Sequence, residues 1–164
     1  MLVRTILLLI FGLALNGAAN AQEVIRHRTP GSNFPIAAAV EVPAGKTIVY
    51  VSGMVPRVTN EQSPRNSTAS FGDTKAQTVS VLQAIEQALQ RMNLSMKDVV
   101  KMQACLVPDP AKENRMDFAG FMEGYTQFFG TAEQPNLPSR SVMAVAGLVN
   151  PGWLVEIEVT AVRP

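Results

Sequence analysis

Cysteine and histidine each occur once, as Cys105 and His27, and this scarcity excludes whole kinds of protein. A single cysteine forms no internal disulfide, so the fold has to hold through core packing and assembly. A single histidine cannot supply the second imidazole of a His-based metal site. A serine–histidine triad would depend on His27, which lies in a polar N-terminal stretch where a surface position is expected. No G-x-G-x-x-G, P-loop, H-E-x-x-H, C-x-x-C or G-x-S-x-G pattern is present. The expectation is metal-free chemistry, or none. An excess of one charge is missing too: 14 Lys and Arg stand against 13 Asp and Glu, with no basic cluster. That argues against nucleic acid, which is held by neutralising phosphates, and against a polybasic membrane patch.

What is present begins with a three-part leader. Arg4 precedes an apolar run from Ile6 to Leu15, broken only by Gly12, and Ala19-Asn20-Ala21 is an A-x-A cleavage pattern. This predicts a signal peptide over residues 1–21, cleavage before Gln22, and a secreted or periplasmic mature protein of residues 22–164. The run is shorter than the roughly 20 residues a bilayer span needs, and no later segment qualifies, so no membrane association is expected after cleavage. Loss of Arg4 leaves 13 basic and 13 acidic residues. The length suits one domain.

The pattern along the mature chain predicts β-β-α-β-α-β-β. Residues 22–33 read as a leader or a first edge strand. Ile36 to Val42 is apolar and strand-like, and Thr47 to Ser52 is β-branched and aromatic. Pro56 to Gly72 is a long loop, of the kind that is usually functional or mobile. Asp73 caps a helix in which Val79, Leu82, Ile85, Leu89 and Met92 recur at three- and four-residue spacing, with Lys75, Gln77, Gln83 and Glu86 among the residues left to a solvated face. Ser95 and Asp98 form a capping box for one short turn. Val100 to Val107 alternates as a strand. A second helix is expected from about Asn114 to Phe129, its stripe of Phe118, Phe121, Met122, Tyr125, Phe128 and Phe129 packing on a sheet. Ser139 to Ala146 and Leu154 to Val162 are the last strands. The fold class is α+β, one mixed sheet with both helices on one face.

Two polar features stand out against this apolar background. Arg140 opens a strand that continues through Val142, Val145 and Leu148, where a guanidinium needs a partner. Its planar fork suits a carboxylate in bidentate geometry, which either a ligand or an ion pair with Glu156 or Glu158 from a neighbouring strand would supply. Cys105 lies in the middle strand and is expected to be a buried, inert thiol.

Pro138-Ser139-Arg140-Ser141, then Val155-Glu156-Ile157-Glu158 and Ala161-Val162-Arg163, resembles the C-terminal signature of the RidA (YjgF/YER057c/UK114) family. Val51-Ser52-Gly53-Met54-Val55-Pro56 resembles its N-terminal strand end. Gln77-Thr78, Asp98-Val99-Val100-Lys101 and Phe118-Ala119 with Tyr125 and Phe128-Phe129 follow in the same order. The resemblance covers about residues 34–163. It implies a chorismate-mutase-like homotrimer with ligand clefts between subunits, and hydrolytic deamination of reactive enamines and imines to 2-oxo acid and ammonia, as in 2-iminobutanoate/2-iminopropanoate deaminases, with no metal or organic cofactor. The alternative is a non-catalytic binder of small carboxylates. By resemblance Arg140 holds the substrate carboxylate and Glu156 serves the attacking water, with Ser52, Gly53, Val142, Ile36 and Met122 lining the site. Three positions depart from the deaminase pattern: Val142 replaces Cys, Ile36 replaces Tyr and Met122 replaces Asn. A more apolar pocket is expected.

Overall fold

The computed structural model describes residues 23–164; the expected signal peptide lies outside them. Strands β1 (Ile25–His27) and β2 (Ala39–Glu41) pair antiparallel as a separate ribbon. Strands β3 (Ile48–Met54), β4 (Val99–Leu106), β5 (Ser139–Ala144) and β6 (Val155–Val162) form a mixed sheet in the order β3-β6-β4-β5. Only β4 and β5 are parallel. A parallel pair needs a long crossover, and helix α2 (Phe118–Tyr125) lies within it. Helix α1 (Thr74–Arg91) connects the ribbon and β3 to the rest of the sheet.

The first expected strand thus differs from Ile36 to Val42. It shortens to β2 and leaves the main sheet for β1, and only the Ala37–Ser139 bridge ties its approach to β5. The second helix is also shorter than Asn114 to Phe129. Asp117 accepts the Gly120 N–H at 2.9 Å and starts α2 there, because Pro110–Lys112 and a turn closed from Arg115 to Asp109 use up the preceding residues. Asp73 caps α1 through the Ala76 N–H at 2.8 Å, and the Asp98 carboxylate accepts the Ser95 N–H at 2.7 Å, both as expected.

Alternation divides the sheet cleanly. Val100, Met102, Ala104 and Leu106 of β4, with Val155, Ile157, Val159 and Ala161 of β6, are buried beneath the helices. Leu82, Ile85 and Leu89 of α1 and Phe121, Tyr125 and Phe129 of α2 and its exit turn are fully buried against them. The opposite face carries Ile48, Tyr50, Ser52, Lys101, Gln103, Cys105, Glu156 and Glu158, and no element among the described residues covers it. On α1 two expectations change. Val81 rather than Val79 is buried, and Gln77, expected in solvent, is 0% exposed. Its amide donates to the Gly72 and Gly152 carbonyls at 2.9 and 3.0 Å and accepts the Leu154 N–H at 2.7 Å. One side chain thereby joins the end of the long loop to the turn that launches β6. The loop itself is ordered by its own bonds, among them those of the buried Ser70 hydroxyl to the Ser63 and Pro64 carbonyls.

Candidate functional site

Register decides where Arg140 points. It pairs with Met102, and Val142 with Ala104, so both side chains lie on the helix-covered side of the sheet. There the guanidinium enters an aromatic cage. Its central carbon is 4.0 Å from the Tyr125 ring centre, 5.1 Å from Phe121 and 5.6 Å from Phe34. Each face is a favourable place for a cation, worth about 0.5–2 kcal/mol depending on desolvation. The rings continue as a stack from Phe34 through Phe118, Phe121 and Tyr125 to Phe129. The α2 stripe therefore does two things: it fills the core, as expected, and it holds the cation.

Hydrogen bonding around the cation is incomplete. One terminal nitrogen donates to the Met122 thioether sulfur at 3.1 Å, a weak acceptor. The other, Nη1, is out of contact with solvent and has no acceptor within reach among the described residues. A buried donor left unmade costs about 1–3 kcal/mol, and more when it is charged. Burial accordingly pulls the Arg140 pKa below its ordinary value, with Tyr125 opposing. Burial also pushes the Tyr125 phenol up to about 12, against the pull of Arg140. The Tyr125 hydroxyl donates to the Pro35 carbonyl at 2.9 Å and so pins the Phe34-Pro35-Ile36 segment over the site. The Ala37 N–H, bonded to the Pro138 carbonyl at 3.0 Å, anchors it from the other side.

The ion pair with Glu156 or Glu158, the alternative to a ligand carboxylate, is not formed. Strand β4 lies between β5 and β6, and both acids project from the opposite face of the sheet, so no carboxylate among the described residues reaches Arg140. Glu156 instead sits beside Gly53. A β-bulge between Val51 and Met54 sets Ser52 and Gly53 out of the ladder, and a Cβ on Gly53 would collide with the Glu156 carboxyl group. The absent side chain lets the acid lie against the exposed backbone of β3.

The expected site residues thus form two groups. Arg140, Met122 and Val142 share the helix side, Ile36 belongs to the pinned segment, and Ser52, Gly53 and Glu156 share the open side. Cys105 belongs to the open side as well, half-buried and not in the core. It is the cross-strand neighbour of Glu156, and burial first, then Glu156 and Glu158, push its thiol pKa up. Phe34 and Tyr125 were not legible as site residues. Phe34 stands two residues before Ile36 in a stretch without periodicity, and Tyr125 is one ring of an ordinary core stripe. His27 is exposed and pairs with Glu41 at 2.6 Å. Among the described residues no group of three or more His, Cys, Asp or Glu side chains is placed to hold a metal ion.

A sheet with both helices on one side, a bulged edge and a caged, under-satisfied arginine defines a small α+β subunit of the Rid type. Over residues 32–163 the chain matches the family described as Endoribonuclease L-PSP, and it belongs to that family, the RidA/YjgF group. It is 32% identical to the 3-aminoacrylate deaminase RutC of Acinetobacter baylyi over 127 residues, 77% of this chain and 88% of the relative. Its fold is similar to a member of the YjgF/YER057c/UK114 family from Mycobacterium tuberculosis, with a TM-score of 0.50 and 27% identity over 85% of this chain and 98% of that one. It is also similar to E. coli TdcF with bound serine, with a TM-score of 0.55 and 28% identity over 87% of this chain and 99% of that one.

Proposed function

We propose that the chain is a hydrolytic deaminase of enamine or imine acids, working as a homotrimer whose ligand sites lie between copies. The observation that carries this reading is the Arg140 Nη1, a buried cationic donor with no acceptor of its own. A ligand carboxylate would complete it in bidentate form. The similarity to a 3-aminoacrylate deaminase supports the reaction class. The serine bound in TdcF supports a small acid as ligand. The family's description names an endoribonuclease, but near-neutral charge without a basic cluster favours a small acid over a polyphosphate chain.

The two faces of the sheet support assembly. Arg140 and Glu156 point to opposite sides of one sheet, so one ligand meets both only when the second comes from another copy. The uncovered sheet face, with Ile48, Tyr50 and Met143 exposed at 43, 79 and 38%, supports packing against such a copy. In the reaction, Arg140 fixes the carboxylate of a 2-imino acid, and the backbone at Ser52-Gly53 lines the other wall. The Glu156 carboxylate takes a proton from water as its oxygen bonds to C2. That proton passes to the nitrogen, Glu156 then moves the proton of the new hydroxyl group to the same nitrogen, and the C–N bond breaks as the C=O bond forms, so that 2-oxo acid and ammonia leave.

The test is ammonia release from an enzymatically generated 2-imino acid. Arg140→Ala and Glu156→Gln should each abolish it, and co-expression of the two variants should restore a part, since mixed trimers hold clefts with both native groups. An inactive wild type that still binds 2-oxo acids through Arg140 would support the second reading, a non-catalytic carboxylate binder. Met122 favours that reading, because it places a thioether beside the cation.

A further inference from the structure

The walls of the Arg140 cage are not equivalent. Phe121 and Tyr125 are 0% exposed, and β5 backbone closes the side from which the arginine springs. The solvent-facing members are Phe34, 45% exposed, and the half-buried Met122 and Phe118. An acceptor that reaches Nη1 has to come in along Phe34 and Met122 and shift one of them. Both can move. Phe34 stands on an irregular segment, tied at Phe34 only to its near neighbours Ser32 and Ile36 and to the rest of the fold through Pro35 and Ala37, so its ring can turn, and methionine has three rotatable bonds. Whatever hangs from the carbon bearing the carboxylate then rests on Phe34, its stacking partner Phe118, and Met122. That surface carries no hydrogen-bonding group stronger than the Met122 sulfur, which Arg140 already occupies. A hydroxyl or charged substituent placed there would lose its water and gain nothing.

From this we infer that the site is selective for carboxylates with a bulky apolar or aromatic side chain, and that Phe34 is the residue that sets the preference. The inference rests on the reading of Arg140 as the carboxylate anchor. A benzyl or isobutyl group would cover the exposed part of the Phe34 ring, whereas the methyl group of pyruvate would leave most of it wet. Aromatic pairing adds to the area buried.

Calorimetric titration of the full-length mature protein with pyruvate, 4-methyl-2-oxopentanoate and phenylpyruvate tests it. Wild type should bind the two larger acids about tenfold or more tightly than pyruvate, about 1.4 kcal/mol or more. Phe34→Ala should abolish that preference, bringing the three affinities within about twofold of one another, and Phe34→Leu should restore the preference for 4-methyl-2-oxopentanoate. Arg140→Ala should lose all three ligands. Equal affinity for the three acids in wild type, or a preference that survives Phe34→Ala, overturns the inference while Arg140-dependent binding keeps the anchor. Binding that is absent, or unaffected by Arg140→Ala in a folded protein, overturns the anchor and the inference together.

Discussion

The Arg140 guanidinium lies 4.0 Å from the centre of the Tyr125 ring, and the Tyr125 hydroxyl reaches past it to the Pro35 carbonyl at 2.9 Å. One tyrosine therefore offers its face to the cation and its edge to the segment that closes the cage. The ring can do this only as a neutral phenol, because the hydroxyl proton is what the Pro35 carbonyl accepts.

Stability should consequently fall in strong alkali. In the unfolded chain the phenol proton leaves near the ordinary value of 10.0, but in the folded protein it is held to about 12. Between these values the unfolded state binds fewer protons, so stability declines as pH rises, and Tyr125's contribution is whole below pH 10. Urea unfolding of wild type and Tyr125→Phe across this range checks it. The variant should start about 1 kcal/mol less stable through the lost hydrogen bond and lack the Tyr125 component of the alkaline decline. Parallel curves throughout would contradict the assignment.

Gln77→Leu should be strongly destabilising although the volumes are similar. The change removes three hydrogen bonds at once and strands the Gly72 and Gly152 carbonyls and the Leu154 N–H in a buried place. At about 1–3 kcal/mol for each buried partner left unmade, a loss of about 3 kcal/mol or more is expected from chemical denaturation. A loss below about 1 kcal/mol would show that water replaces the amide.

Gly53→Ala should separate stability from turnover. The added methyl group meets the end of the flexible Glu156 side chain, which can swing away, so unfolding should change by less than about 1 kcal/mol. A displaced Glu156 forfeits part of the roughly 10²–10⁴ that general acid–base catalysis contributes, so imine hydrolysis should drop by about tenfold or more. Affinity for 2-oxo acids, which depends on Arg140, should hold. Unchanged turnover in this variant would remove Glu156 from the reaction.

Local pattern was sufficient for much of this molecule. The alternation of β4 and β6, the Leu82-Ile85-Leu89 stripe and the caps at Asp73 and Ser95–Asp98 are set by neighbours within a few residues, and each appears where its spacing places it. Arg140 was legible for the same reason: a guanidinium in an apolar strand needs a partner wherever the strand lies. The partner's identity was not legible. Alternation tells which side chains share a face, but strand order decides which faces meet, and the placement of β4 between β5 and β6 separates Arg140 from the acids that were the alternative to a ligand carboxylate. Phe34 and Gln77 were missed through the same gap. Phe34 reaches the site through a segment whose Tyr125–Pro35 bond spans 90 positions, and Gln77 reaches Leu154 across 77. Such bonds leave no trace in local periodicity, because the free energy that selects them exists only when the helices have packed on the sheet and brought distant donors and acceptors out of water together.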